Sequence, residues 1–228
     1  MSEVDAFRSL RLAATQSAAE KADDPGRLVQ IESELAEDLV GALPARRSVK
    51  YFLPEQIEID WLLRIRPSLL DFDRTLSGNG PALRFVCAVS GVQGRAPGLY
   101  DFNSEGLTRL PVPIDPADLR SMTLQPEFGD AALIVVLVGS LIDAVGGDGP
   151  NGHRQLLQRA GALAELVWLS AVREGYGASI FAGFLPAELK SRLEFDGMST
   201  LQLIAIAVGM EDLGHNAIVE SEAMGALG

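Results

Sequence analysis

The continuous apolar run at residues 131–139 most constrains how this chain can fold. It reads Ala-Ala-Leu-Ile-Val-Val-Leu-Val-Gly, and it is rich in β-branched residues and has no polar side chain. A strand with one solvated face alternates apolar and polar residues, whereas a strand that is apolar at every position is covered on both faces. Residues 131–139 are therefore predicted to form a central strand.

Other strand and helix patterns lie around this run. Strands are predicted at residues 83–90, 98–103, 107–110 and 201–209, and the second and third of these form a hairpin that turns at about 103–106. The strongest helix pattern spans residues 153–174, where apolar side chains cover most of the circumference and Gly175 is placed to cap the end. A shorter helix is expected at residues 55–66, stopped by Pro67.

The ends of the chain and its glycine-rich segment give weaker patterns. Residues 1–43 are predicted to form two helices, the second with an apolar stripe that includes Leu35, Leu39 and Leu43. Residues 146–152 are expected to be a flexible loop, since they lack the lysine and Ser/Thr of a phosphate-binding P-loop. Residues 210–228 show little pattern. We therefore expect one α+β domain at residues 44–228, preceded by a helical N-terminal extension at 1–43.

Composition excludes several classes of function. The hydrophobic fraction of 47% is enough to fill a substantial core. The net charge is -12, and nucleic acid and anionic membrane are not expected partners because either needs a broad basic surface. A single cysteine, Cys87, and two histidines cannot build a disulfide framework or a multi-histidine zinc site. Cys87 lies in an apolar run and is expected to be a small buried residue. Residues 1–22 have no long apolar core, which predicts neither a signal peptide nor a membrane span and favours a cytoplasmic location.

Three cations and a hydroxyl lie together at Arg46, Arg47, Ser48 and Lys50 in this otherwise acidic chain. Guanidinium groups present a planar set of donors that suits phosphate, and lysine and serine add a charge and a hydroxyl donor. The cluster therefore favours an anionic cofactor or substrate. The alternative is a solvated basic turn at the end of a helix.

The order of motifs along the chain resembles that of the flavin-dependent nitroreductase superfamily. Arg46-Arg47-Ser48-Val49-Lys50 resembles the family's Arg-Arg-Ser-x-Arg segment, and Ser77-Gly78-Asn79 stands where it has a Pro-Ser-x-x-Asn loop. A long helix then ends in Gly175-Tyr176-Gly177, Ala182-Gly183-Phe184 follows, and the last strand ends in Val208-Gly209. The resemblance implies a nitroreductase-like α+β fold, a central mixed β-sheet flanked by helices.

The resemblance also implies a cofactor and its site. Arg46, Arg47, Ser48 and Lys50 would hold the phosphate and ribityl chain of FMN. Ser77 and Asn79 would lie beside the flavin ring, and the backbone at Ala182 and Gly183 would face its reactive N5 edge. Proteins of this family are dimers with the flavin at the subunit interface, so a homodimer is expected.

Within the superfamily, residues 98–102 and 106–110 look like a segment of the azoline dehydrogenase branch. That branch is found in the gene clusters of peptide natural products and in oxidase domains of nonribosomal synthetases, so other biosynthetic proteins are expected partners. The resemblance implies an FMN-dependent dehydrogenase of an azoline or another amino-acid-derived substrate, small molecule or peptide. His153 is the candidate base because its unperturbed pKa lies near neutral pH, and the alternative is a polar residue at a helix start.

Two further functions remain open. One is an NAD(P)H-dependent nitro or quinone reductase, for which no dinucleotide-binding motif is required, because the nicotinamide would stack on the flavin. The other is a flavin-poor relative that acts as a binding or scaffolding subunit. Residues 210–228 contain no lysine or arginine, where the family commonly supplies a further cation to the phosphate, and this favours the scaffolding function.

Overall fold

A six-stranded antiparallel sheet forms the centre of the computed structural model, which describes residues 39–77, 81–112, 114, 118, 123, 125–182 and 193–218. The strands are β1 (Arg84–Val89), β2 (Gly98–Asn103), β3 (Gly106–Arg109), β4 (Leu133–Gly139), β5 (Gly177–Phe181) and β6 (Leu201–Gly209). Their order is β3-β2-β1-β4-β6-β5. All the predicted strands and the hairpin are confirmed.

The five neighbouring strand pairs are all antiparallel. In the described part of the chain, the parallel component of the expected mixed sheet is limited to isolated bridges, Ser48 with Ala178 and Ile57 with Val92. The two helices predicted at the N-terminus lie almost wholly outside the described residues. Residues 39–42 are helical, and Leu39 and Ala42 pack against Leu169.

Strand β4 is buried at every position, as its sequence predicts. Its side chains alternate between two separate cores. Leu133, Val135 and Leu137 belong to the larger one, and Ile134, Val136 and Val138 belong to the smaller one. The sheet is therefore covered on both faces, by helices on one side and by loops and short segments on the other.

The longer helices of the described chain are α1 (Asp60–Ser77), α2 (Leu141–Asp148) and α3 (Gly152–Arg173). Short 3-10 turns lie at Leu43–Ala45, Pro126–Asp130 and Gly149–Asn151. The long helix predicted at 153–174 is confirmed as α3, and Gly175 ends it with φ +85. Helices α1 and α3 are antiparallel neighbours, because Arg64 pairs with Glu174 at 2.9 Å while Asp73 pairs with Arg159 farther along.

The prediction that Pro67 stops the first helix is wrong. Helix α1 begins at Asp60, contains Pro67 and continues to Ser77. A proline inside a helix removes one backbone hydrogen bond and crowds the preceding turn. Here the buried side chains at Ile65, Leu69 and Asp73 recur every four residues across the proline. Beyond the proline, Leu69 is buried in the larger core and Asp73 is buried beside Arg159 of α3, and these contacts offset the loss at Pro67.

The prediction of a flexible glycine-rich loop at 146–152 is also wrong. Gly146 and Gly147 lie within helix α2, and the chain passes through a 3-10 turn directly into α3. Ser140 caps α2, because its Oγ accepts a hydrogen bond from Asp143 N at 3.1 Å. A Cβ at Gly152 would lie 2.0 Å from the carbonyl oxygen of Ala144. Close packing of α2 on α3 therefore requires glycine at this position.

A buried ion pair fastens α1 to α3. The side chains of Asp73 and Arg159 are 1% and 8% exposed, and Arg159 Nε and Nη2 donate to Asp73 Oδ1 at 3.0 and 2.8 Å. Arg159 also donates to Pro81 O at 2.8 Å, and Asp73 Oδ2 accepts from Leu83 N at 2.6 Å. The pair therefore fixes both helices to the chain that leads into β1.

We expect Gly152→Ala to lower the free energy of unfolding by about 1–3 kcal/mol, because the new methyl group would clash with the backbone of α2. Gly161 lies in the same helix and has nothing within 4 Å of a built Cβ. The matched change Gly161→Ala should raise stability by about 0.5–1 kcal/mol. Urea unfolding of both variants compares them directly, and equal effects would contradict the close-approach argument.

Removing one partner of the buried pair should be costly. Arg159→Met leaves the Asp73 carboxylate without its guanidinium, and we expect a loss of about 3–5 kcal/mol in unfolding free energy. The control Arg154→Met changes an exposed arginine of the same helix and should alter stability by less than about 0.5 kcal/mol. A small effect of Arg159→Met would show that water replaces the ion pair.

Candidate functional site

The cation segment, residues 46–50, is fixed against the start of the edge strand β5. Val49 N donates to Ala178 O at 3.1 Å, and the Val49 side chain is 2% exposed in the smaller core. A Cβ at Gly177 would lie 2.9 Å from a methyl carbon of Val49, so glycine there permits the close approach. Burial of Val49 leaves its neighbours Ser48 and Lys50 exposed.

Arg46 lies over the side of helix α3. Its guanidinium carbon is 4.5 Å from the centroid of the Trp168 ring, a cation–π contact. Arg46 Nε is 3.8 Å from Glu165 Oε1, which is longer than a hydrogen bond. A guanidinium has five N–H donors. Arg46 is thus positioned by the indole while it retains donor capacity for an anion.

Arg47 contacts a carboxylate from the far end of the described chain. Its Nη2 donates to Glu211 Oε2 at 2.8 Å, and Glu211 Oε1 also lies 2.8 Å from the same nitrogen. The Glu211 side chain is 15% exposed, compared with 44% for Arg47. The negative charge of the pair is therefore better shielded from solvent than the positive one.

A C-terminal turn, residues 211–218, braces the segment from the other side. Asn216 is 5% exposed, and its Oδ1 accepts from Lys50 N at 3.0 Å and from Tyr51 N at 3.3 Å. Its Nδ2 donates to Tyr51 O at 2.9 Å and to Asp212 O at 2.8 Å. The Tyr51 ring stacks on His215 with centroids 4.1 Å apart. All four hydrogen-bonding positions of the Asn216 amide are thus used to hold the backbone beside the cations.

The C-terminal turn was missed by sequence reasoning, which found little pattern in residues 210–228. Its helical part, residues 213–218, is less than two turns long, and its large apolar side chains, Leu213 and Ile218, are exposed rather than part of a buried stripe. The sequence did offer one signal. Asp212 and Asn216 follow strand β6, and Asp and Asn side chains commonly form hydrogen bonds to nearby backbone.

Ser77 and His153 lie away from the cation segment within one chain. Ser77 Oγ donates to Arg74 O at 3.0 Å at the end of α1, and His153 is exposed at the start of α3. Arg46 instead lies beside Glu165 and Trp168, 12 to 15 residues farther along α3. At 1.5 Å per residue, that separation is about 18–22 Å along the helix. One chain therefore does not bring Ser77 and His153 to the cations.

Ala182 lies on the same sheet edge as the cation segment. It follows β5 directly, is exposed, and its carbonyl oxygen accepts from Gln202 Nε2 at 3.2 Å. Ser48 is bridged to Ala178, four residues earlier, so Ala182 is about 13 Å farther along the strand at 3.3 Å per residue. An elongated ligand along this edge could contact both. The other two expected site residues, Asn79 and Gly183, lie outside the described residues.

Other reactive groups give no second centre in the part of the chain that the structure describes. Burial, with a smaller effect of the Asp101 charge, raises the pKa of Cys87 far above its usual value, so its thiol stays protonated and packs in the core. No group of three His, Cys, Asp or Glu side chains among the described residues could hold a metal ion. None of the described helices is long and apolar enough to cross a membrane.

The sequence model of the nitroreductase family matches residues 43–210 of the chain. No curated protein sequence matches it. Among solved structures, it resembles a protein described as a nitroreductase from Anabaena variabilis, with a TM-score of 0.63 and 23% identity over 77% of this chain and 38% of that one. The chain thus spans well under half of that relative.

Two other solved structures share the fold. A chain of the E. coli microcin synthetase McbBCD complex, with truncated pro-MccB17 bound, has a TM-score of 0.57 and 15% identity over 72% of this chain and 68% of that one. A protein described as a nitroreductase from Desulfovibrio desulfuricans, in complex with FMN, has a TM-score of 0.50 and 16% identity over 76% and 86%. These similarities confirm the predicted α+β architecture.

We expect Asn216→Ala to lower the unfolding free energy by about 1–3 kcal/mol, because it leaves backbone groups of Lys50 and Tyr51 without their partners. Asn151→Ala is the control, since the Asn151 side chain makes no capping hydrogen bond and should cost less than about 0.5 kcal/mol. Thermal and urea unfolding measure both. Hydrogen exchange at Lys50 N and Tyr51 N should rise selectively in Asn216→Ala, and unchanged exchange would contradict the proposed brace.

Proposed function

This chain belongs to the nitroreductase family, and from that premise we propose that it is an FMN-dependent oxidoreductase. The observation that carries the proposal is the cation segment, which is fixed at the start of β5 with Ser48 and Lys50 exposed and Arg46 half-buried over Trp168. When bound, FMN supplies a ring that exchanges a hydride with the substrate, while the protein supplies binding and orientation.

The residues present fit the phosphate end of that cofactor. Arg46 retains donor capacity above Trp168, Ser48 offers an exposed hydroxyl, and Lys50 adds an exposed ammonium. Guanidinium and ammonium groups form short, charge-assisted hydrogen bonds to phosphate. We assign these three residues, together with Arg47, to the phosphate and ribityl chain. Ala182, on the same edge, is assigned to the flavin ring together with its neighbour Gly183.

We propose that the site is completed by a second copy of the chain. Ser77, which is assigned to the ring with Asn79, is separated from Arg46 along α3 within one protomer, and a homodimer offers a way to supply it. His153 lies at the same end of the antiparallel pair α1 and α3 as Ser77. A partner that supplies Ser77 would also bring His153 near, which supports His153 as the candidate base.

For the substrate, we propose a peptide-derived azoline or a related amino-acid-derived compound, oxidised during the biosynthesis of a natural product. The hairpin β2–β3 carries the segment that resembles the azoline dehydrogenase branch. Tyr100 in this hairpin is 4% exposed and donates its hydroxyl to Ala96 O at 2.7 Å, so it is assigned to packing. As in the microcin synthetase complex, the active form would include other biosynthetic proteins.

A scaffolding function is the second candidate, and a specific observation favours it. Arg47 is already paired with Glu211, Arg46 is near Glu165, and residues 210–228 contain no lysine or arginine. A site whose cations are partly neutralised binds phosphate more weakly than one whose cations have no carboxylate nearby. A subunit of this kind would dock an active partner and bind no flavin.

The colour of the purified protein and the reduction of its flavin distinguish the proposed functions. Purified protein that is yellow, or that becomes yellow with FMN and stays so through gel filtration, supports an oxidoreductase, whereas colourless protein after excess FMN supports the scaffold. Anaerobic bleaching by NADPH indicates a nitro or quinone reductase. Bleaching only by a thiazoline or oxazoline peptide indicates the proposed dehydrogenase.

The double change Arg46→Ala with Lys50→Ala should weaken FMN binding more than a hundredfold, because two charge-assisted contacts to the phosphate are lost at about 1.5–3 kcal/mol each. The control removes the same charge elsewhere, through Arg95→Ala with Arg109→Ala at two exposed sites. Fluorescence titration of FMN gives the Kd of each protein. Equal affinity of the two double variants would place the phosphate site elsewhere.

A further inference from the structure

We propose that Glu211 determines the charge preference of the cation segment and weakens its affinity for a doubly charged phosphate. The inference rests on the proposed flavin function and names a specificity determinant of that same site. It starts from one contact, the Arg47–Glu211 ion pair, in which the carboxylate engages Nη2 of a guanidinium that the phosphate would otherwise use.

The backbone holds Glu211 in this position. Glu211 forms an antiparallel bridge with Phe52, Leu53 N donates to Met210 O at 2.8 Å, and Asp212 N donates to Tyr51 O at 3.1 Å. Residues 51–53 follow the cation segment directly. The backbone segments that carry the carboxylate and the cations are therefore bonded to each other, which keeps Glu211 close to the cation segment.

Packing also restricts the carboxylate. A Cβ at Gly177 would lie 3.1 Å from the Cβ of Glu211, so the glutamate stem lies against the start of β5. Glu211 Oε1 is buried and has no hydrogen-bond partner among the described residues, although it lies 2.8 Å from Arg47 Nη2. Arg47 thus provides the nearest positive charge to this oxygen. The carboxylate has little freedom to turn towards water when an anion arrives.

The consequence is an electrostatic penalty that depends on ligand charge. A phosphate monoester near Arg47 meets a negative charge that solvent screens poorly, because Glu211 is mostly buried. A neutral ligand with the same ring and ribityl chain meets no such repulsion. Glu211 therefore lowers the affinity for FMN relative to riboflavin, which lacks the phosphate.

The experiment compares FMN and riboflavin on the full chain with the variant Glu211→Gln. The amide keeps the size of the side chain and an oxygen that can accept from Arg47. We expect FMN to bind about three- to tenfold more tightly to the variant, while the Kd of riboflavin changes by less than about twofold. The FMN gain should shrink as salt is raised, because screening weakens charge interactions.

Two control variants test whether the effect depends on position 211 and on the charge of its side chain. Glu105→Gln makes the same change of charge at the exposed turn between β2 and β3, next to the opposite edge of the sheet, and should leave both affinities unchanged. Glu211→Asp keeps the charge and should not tighten FMN binding. Glu211→Thr provides a second neutral variant if Glu211→Gln is unstable in thermal unfolding.

Two results would overturn the proposal. In one, the affinity for FMN stays the same or falls in both neutral variants; in the other, the affinities for FMN and riboflavin rise together. Titration with inorganic phosphate, followed by NMR shifts of Val49 and Lys50 amides, keeps this question separate from the flavin function. If no variant binds either flavin but Glu211→Gln binds phosphate more tightly than wild type, the role of Glu211 stands and the oxidoreductase proposal fails.

Discussion

Burial of β4 on both faces is the constraint on which the rest of the structure depends. Its alternating side chains require two cores, and the larger one is supplied by α1 and α3 on one face. The smaller core on the other face is closed partly by Val49 and Phe52, together with Phe128 stacked on Phe181. The residues that flank the cations are therefore core residues, and the need to cover the sheet places the candidate site at the edge of β5.

Sequence periodicity correctly predicted the strands and helices whose side chains are buried in a regular pattern. Strand β4 was found because every residue in it is buried, and helix α3 because its buried residues, such as Leu156, Ala160 and Leu163, recur at helical spacing. The errors at Pro67 and at the glycine-rich segment share a different cause. In both cases a local preference of proline or glycine was overruled by packing: Leu69 and Asp73 are buried beyond the proline, and Gly152 is packed against α2. Such tertiary effects cannot be read from neighbouring residues alone.

The candidate site was predictable only in part. Residues that are adjacent in the chain were found, whereas their partners from distant parts of the chain were not. The cations are adjacent in the chain, so their excess over an acidic background was visible. Their partners are not: Arg47 meets Glu211 across 164 residues, and Lys50 meets Asn216 across 166. Ser77 and Ala182 were chosen by resemblance, and within one protomer the first lies far from the cations. Only the fold relates these positions to each other.

An acidic chain imposes a general condition on any anion site that it builds. With 31 acidic and 19 basic residues, an exposed arginine has many carboxylates that could neutralise it. The site can keep its affinity only if some cations lack a close carboxylate, and here the two arginines differ. Arg46 lies over the face of Trp168, and the nearby Glu165 carboxylate is 40% exposed and 3.8 Å away, beyond hydrogen-bond distance, while Arg47 is bonded at 2.8 Å to the largely buried carboxylate of Glu211. Holding a cation by an aromatic ring orients it without neutralising its charge. The balance between an oxidoreductase that retains FMN and a scaffold that does not therefore depends on whether Arg46, Ser48 and Lys50 outweigh the carboxylate beside Arg47.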